Sequence, residues 1–124
     1  MAKSTVSPPV FFYLLLLLSF DSEILLKLAK GQSKTWCVAK PSTDDAALVS
    51  NIESACNYLG TRGLNCTQIQ PGGACYDPET LINHASVVMN SYYQDNGGQE
   101  HACHFTNSGL ITVSNPSYGN CQYA

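Results

Sequence analysis

PGGACYDPETLINHASVVMNSYYQ, residues 71–94, puts a turn, a cysteine, a helix start and a terminal aromatic pair into one segment. Pro71-Gly72-Gly73 is turn chemistry, with proline fixing one φ and glycine free to take positive values. Asp77 is placed to cap a helix whose first residue is Pro78, where a missing N–H costs nothing. Leu81, Ala85, Val88 and Tyr92 then recur at helical spacing, which predicts one apolar face over about Pro78 to Gln94. Asp95-Asn96-Gly97-Gly98 supplies the stop. Adjacent residues lie about 100° apart around a helix. The pattern therefore turns Tyr92 toward the core and Tyr93 toward solvent.

Working outward, Ser42-Thr43-Asp44-Asp45 offers caps and first-turn acids for an earlier helix over about Asp44 to Leu59. Leu48, Ile52, Ala55, Cys56 and Leu59 form its buried stripe, and Gly60 and Gly63 break the pattern. On the C-terminal side, Ala102–Thr106 and Leu110–Ser114 read as short strands around an Asn107-Ser108-Gly109 hairpin turn. A loop, Asn115 to Gly119, leads to Cys121. The fold class is α+β: a small disulfide-stapled domain of two α-helices packed on a small antiparallel β-sheet.

Ahead of this domain, Lys3 precedes an apolar run from Val10 to Phe20. That run suits the core of a signal peptide and is short of the roughly 20 residues of a membrane span. Ala29-Lys30-Gly31 offers small residues for cleavage before Gln32. Residues 1–31 are thus expected to be a signal peptide and residues 32–124 a single six-cysteine domain. All six cysteines, Cys37, Cys56, Cys66, Cys75, Cys103 and Cys121, lie in the second part. In a short secreted chain an even count reads as three disulfides, and spacing alone allows 15 pairings.

The same part carries three cations, Lys34, Lys40 and Arg62, against seven carboxylates. A sparse, mildly acidic surface argues against nucleic acid or anionic lipid and points to a neutral partner. The chain ends three residues after Cys121 without a polar spacer and hydrophobic tail, so no membrane anchor is expected. Asn65-Cys66-Thr67 is an N-glycosylation sequon, which makes Asn65 a glycosylation candidate.

One set of motifs runs in order along the domain: Trp36-Cys37-Val38-Ala39-Lys40-Pro41, Ile69 to Cys75, Asn83-His84-Ala85-Ser86, Asn90-Ser91-Tyr92-Tyr93-Gln94, Cys103-His104-Phe105 and Asn115 to Cys121. With the six cysteines, this set resembles the plant carbohydrate-binding module family 43 (X-eight domain), over essentially all of Trp36 to Cys121. That module occurs as an appendage of plant β-1,3-glucanases, in plasmodesmatal callose-binding proteins and in small secreted pollen-allergen-like proteins. The resemblance implies binding of β-1,3-glucan (callose, or laminarin as a soluble analogue) without catalysis. It also implies the pairs Cys37–Cys103, Cys56–Cys66 and Cys75–Cys121. Three positions depart from the family pattern. The Asn57–Asn65 gap is about four residues longer, and Cys103-His104-Phe105 and Asn115-Pro116-Ser117 carry neutral residues where Asp is usual.

A glucan has many hydroxyls but an apolar C–H face on each ring, so it needs aromatic plates flanked by polar side chains. Tyrosine serves both needs. Tyr93, off the apolar stripe, and Tyr118, in a turn, are the first candidates for carbohydrate binding, followed by Tyr92 and Tyr76. Trp36 and Phe105, each beside a cysteine, are assigned to packing. Glycosidase chemistry needs two carboxylates set across a bond. Asp77, Glu79 and Glu100 instead read as capping and surface charge, so no catalytic residue is assigned. His101-Ala102-Cys103-His104 has metal-binding residue types, but a disulfide at Cys103 would remove the thiolate that zinc needs. No metal or cofactor is expected. His84, inside the second helix, reads as a hydrogen-bonded, half-buried residue. These readings converge on a monomeric, secreted, cell-wall module that binds β-1,3-glucan. The other reading of the same tyrosines is a disulfide-stapled defence or signalling ligand for a protein partner.

Overall fold

Strand β1, Trp36–Ala39, pairs antiparallel with β2, Gly109–Thr112, in a register running from Trp36 opposite Thr112 to Ala39 opposite Gly109. Between them come helix α1, Asp45–Thr61, and helix α2, Leu81–Asp95, with short 3-10 helices at Thr67–Ile69 and Glu100–Cys103. The computed structural model describes residues 33–124, within which Thr35–Ala124 form one unit. The expected signal peptide and its cleavage point lie outside the described residues. The described part has the expected class: two helices, a two-stranded antiparallel sheet and three disulfides.

Both helices are delimited by local chemistry. Asp44 Oδ1 accepts from the Ala47 N–H at the start of α1, and Thr80 Oγ1 accepts from the Asn83 N–H at the start of α2. Helix α2 therefore starts three residues later than the Asp77–Pro78 reading. The Pro78 carbonyl is already taken by the Thr80 N–H and Asn83 Nδ2, and threonine supplies the cap. At the C-termini, Gly63 and Gly97 adopt φ of 76° and 80°. The N–H groups that follow return to Leu59 and Tyr93 carbonyls, closing a Schellman motif on each helix.

Helix α2 is the centre of the domain. Ala85, Met89 and Tyr93, four residues apart, pack with Cys37, Ala39, Leu48 and Cys103 in the main core. Val87 packs on the Cys75–Cys121 disulfide in a second cluster. A polar stripe on α2 serves β1, whose outer edge has no partner strand among the described residues. Cys37 N–H donates to Asn90 Oδ1 at 3.1 Å, and Ala39 N–H donates to Ser86 Oγ at 3.0 Å. Gln94 Nε2 reaches the Thr35 carbonyl at 2.8 Å, and Asn90 Nδ2 holds the Ala124 carbonyl at 3.0 Å. Buried backbone donors must be paired, and these side chains pair them.

The predicted 102–114 hairpin is corrected by the structure. Residues Glu100–Cys103 form a 3-10 helix, and Phe105, Thr106 and Asn107 follow with φ of 45°, 52° and 65°. This left-handed turn sends β2 to the N-terminal strand. At Gly109 the backbone passes so close to the Cys103 carbonyl that a Cβ would collide with it. The preference for β1 is non-local, and the Cys37–Cys103 bond holds the same two segments together. The disulfides span 66, 10 and 46 residues, which the chain-entropy model values at about 4, 3 and 4 kcal/mol.

Candidate functional site

The Cys75–Cys121 disulfide brings the C-terminal loop onto the entrance of α2. Tyr118 and Cys121 exchange backbone hydrogen bonds across a tight turn. Asn115 Oδ1 accepts from the Ser117 N–H and shapes the approach, a task that either Asp or Asn can perform. Tyr118 thereby projects from a fixed base. Its hydroxyl donates to the Asp77 carbonyl at 2.6 Å and lies 3.1 Å from Asn83 Oδ1. Asn83 is itself anchored, donating through Nδ2 to the Cys75 and Pro78 carbonyls. Among the described residues Tyr118 is the one exposed aromatic side chain, at 37%.

Beside it, Tyr76 and His84 lie ring against ring, with centroids 5.6 Å apart and planes tilted by 30°. His84 donates through Nε2 to the Tyr76 carbonyl at 2.7 Å, which fixes where that proton sits. The neighbouring Glu79 carboxylate favours the neutral Tyr76 phenol and, with burial, raises its pKa above the ordinary value. Tyr76, Asn83, His84 and Tyr118 thus gather at the entrance of α2, where hydrogen bonds hold the side chains of Asn83, His84 and Tyr118, and Tyr76 rests on the His84 ring. Tyr123, behind this loop, is pushed up to about 12 by burial, with the neighbouring Tyr118 adding to it.

The far end of α2 carries a second aromatic group. Tyr92 meets Tyr58 at 4.7 Å and Phe105 at 5.4 Å between centroids, both edge to face with planes 70° apart. The Tyr58 hydroxyl donates to Asp95 Oδ2 at 2.9 Å, and Arg62 Nε pairs with the same oxygen at 3.0 Å. These two donors hold the Asp95 carboxyl below its usual value, and the bond to Asp95 raises the Tyr58 phenol. The rings here use one another as neighbours, and Tyr92 and Phe105 also rest on the main core.

Of the tyrosines singled out from sequence, Tyr76 and Tyr118 are attached at the entrance of α2, and Tyr92 lies in the other group. Tyr93 departs from its expected solvent-facing position. It is 1% exposed, packed in the main core, with its hydroxyl 2.6 Å from Thr35 Oγ1. The reason is the choice of stripe. Ala85–Met89–Tyr93 is also an i, i+4, i+8 series, and α2 is buried around most of its middle turns. Tyr92 is half-buried, so both adjacent rings pack, Tyr93 completely. Sequence reasoning did not assign a role to Asn83, which orients Tyr118, or to the Ser86–Asn90–Gln94 stripe. The four-residue spacing of that stripe was its available signal. Cys103 is paired with Cys37, and His104 is exposed.

Fold and site together define a disulfide-stapled α+β module with an aromatic, polar-rimmed surface. Residues 35–110 match the X8 domain family model, and the chain belongs to that family. It is 44% identical over 91 residues to the major pollen allergen Ole e 10 of Olea europaea, covering 73% of this chain and 72% of the allergen. It is 45% identical to plasmodesmata callose-binding protein 5 of Arabidopsis thaliana, covering 74% of this chain and 49% of that protein. A glucan endo-1,3-beta-glucosidase of Triticum aestivum is 48% identical over 88 residues, but the match covers only 18% of its length. The chain thus spans less than a fifth of that glucosidase.

Proposed function

We propose that this protein is a secreted, non-catalytic module that binds β-1,3-glucan in the plant cell wall through the Tyr76–Tyr118 face. The observation that carries this reading is Tyr118, an exposed ring held by its hydroxyl on Asp77 and Asn83. A plate fixed before the ligand arrives loses little freedom on binding, so more of the stacking energy appears as affinity. The C–H face of a glucosyl ring covers the tyrosine face, and side-chain amides and hydroxyls around it take the sugar hydroxyls. An open surface encloses little of the ligand, so short oligomers bind weakly. A polymer with many overlapping sites binds better.

Family membership supports the glucan, and one relative is named for callose binding. The non-catalytic reading is supported by the extent of the glucosidase match, which leaves most of that enzyme outside this chain. Secretion is supported by three disulfides, which persist in oxidising compartments. Retention on insoluble β-1,3-glucan, with cellulose as the control, tests the function. Selective retention is expected. No retention on the glucan would exclude it and leave a protein ligand as the other reading.

A further inference from the structure

Asn65-Cys66-Thr67 follows the C-terminal motif of α1 and belongs to the loop closed by the Cys56–Cys66 disulfide. Asn65 and Thr67 are both exposed. The Thr67 hydroxyl donates to Asn65 Oδ1 at 2.7 Å, and the Thr67 N–H donates to the same oxygen at 3.1 Å. Both bonds use the oxygen. Among the described residues none engages Nδ2, the atom at which a sugar would be attached.

Asn65 also lines a groove of about 510 Å3 between this loop and α2. Leu64, Val87 and Val88 give it an apolar floor, with Gln68, Ser91 and Asp95 along the polar rim. Leu64 is 48% exposed, an apolar side chain left uncovered beside the sequon. A pyranose presents the matching chemistry, with an apolar C–H face and a ring of hydroxyls. None of Tyr76, Asn83, His84 or Tyr118 lines this groove, so a sugar there leaves the entrance face open.

We infer that Asn65 carries an N-linked glycan whose first N-acetylglucosamine lies along the Leu64–Val87–Val88 groove. Asn65 Nδ2 bonds to the anomeric carbon of a lipid-diphosphate-linked oligosaccharide, the lipid diphosphate leaves, and the amide gives up one proton. The inference rests on passage of the chain through the secretory pathway. Its donor is supplied there.

The test uses the full chain produced in plant cells. Its intact mass is measured before and after removal of N-glycans, and its cysteines are mapped. The expected protein is disulfide-bonded and heavier than its polypeptide, loses the excess on enzymatic deglycosylation with conversion of Asn65 to Asp, and carries no glycan in the Thr67→Val variant. Trimming to one N-acetylglucosamine should keep the Leu64–Gln68 amides slow in hydrogen exchange, and complete removal should speed them. A disulfide-bonded protein with unmodified Asn65 overturns the inference. So does equal exchange in the two trimmed forms, because the sugar then does not occupy the groove. Recovery only as a reduced, unprocessed chain overturns it through the secretion reading, and the state of the cysteines tells the two failures apart.

Discussion

At the entrance of α2, Tyr118 keeps 37% of its surface exposed while its hydroxyl is held on Asp77 and Asn83. At the far end, Tyr92 is set between Tyr58 and Phe105 and rests on the core. Both groups have aromatic rings and hydrogen-bonded hydroxyls. They differ in what covers the rings. The first is organised by backbone carbonyls and an asparagine and offers a ring outward, whereas the second uses its rings on one another. Composition alone assigns the same value to every tyrosine, and only the covering separates a plate from a packing residue.

The largest effect on stability is expected at Tyr93, which belongs to neither surface. Tyr93→Ala should cost about 3–5 kcal/mol, because it removes a buried ring and leaves a cavity. Thermal or urea unfolding measures it, and a near-neutral result would return Tyr93 to the surface. Asn90→Leu comes next. It leaves the Cys37 N–H buried without an acceptor, at about 1–3 kcal/mol.

The third prediction cuts between the two ends of α2. Tyr92→Ala should destabilise the fold by about 2 kcal/mol and leave glucan retention of the folded protein unchanged. Tyr118→Ala should do the opposite, with a nearly constant midpoint and retention weakened by about 1 kcal/mol, or roughly fivefold. If Tyr92→Ala abolished retention in folded protein, the roles of the two ends would be exchanged.

The smallest effects concern pH, again with opposite signs at the two ends. Asp95 has a lowered pKa in the folded state, so its contribution is present above the ordinary carboxyl range near 4 and fades as pH falls through the folded value. Asp95→Asn should flatten that acid limb. Tyr123 is raised to about 12, so its neutral form is favoured by folding. Its contribution is intact below about 10, where the unfolded phenol begins to ionise, and is lost as pH rises toward 12. Spectrophotometric titration should find a tyrosine component ionising near pH 12 that disappears in Tyr123→Phe.

Local chemistry was legible in the sequence wherever it acts over a few residues. Asp44, Gly63 and Gly97 mark helix ends by capping rules that need no tertiary context. Pairing of β2 with Trp36–Ala39 was not legible, because the segments lie about seventy residues apart and the Asn107-Ser108-Gly109 signal resembles a local hairpin. The orientation of Tyr92 and Tyr93 was misread for a related reason. Two apolar series at helical spacing, Leu81–Ala85–Val88–Tyr92 and Ala85–Met89–Tyr93, coexist on α2, and β1 and the disulfides decide its rotation. Ser86 and Asn90 look like solvent residues until a strand edge needs acceptors. Half of the candidate site, Tyr76 and Tyr118, could be named from sequence. The asparagine that aims Tyr118 could not, since its role exists only after Cys75 joins Cys121.

The most direct test of the entrance assignment is an amide and ring-proton NMR titration of the folded protein with a soluble β-1,3-glucan oligosaccharide. The predicted result is saturable shifts centred on Tyr76, Asn83, His84 and Tyr118, with Tyr58, Tyr92 and Phe105 unmoved. Saturable shifts confined to the Tyr58–Tyr92–Phe105 group, with a silent entrance, would contradict it.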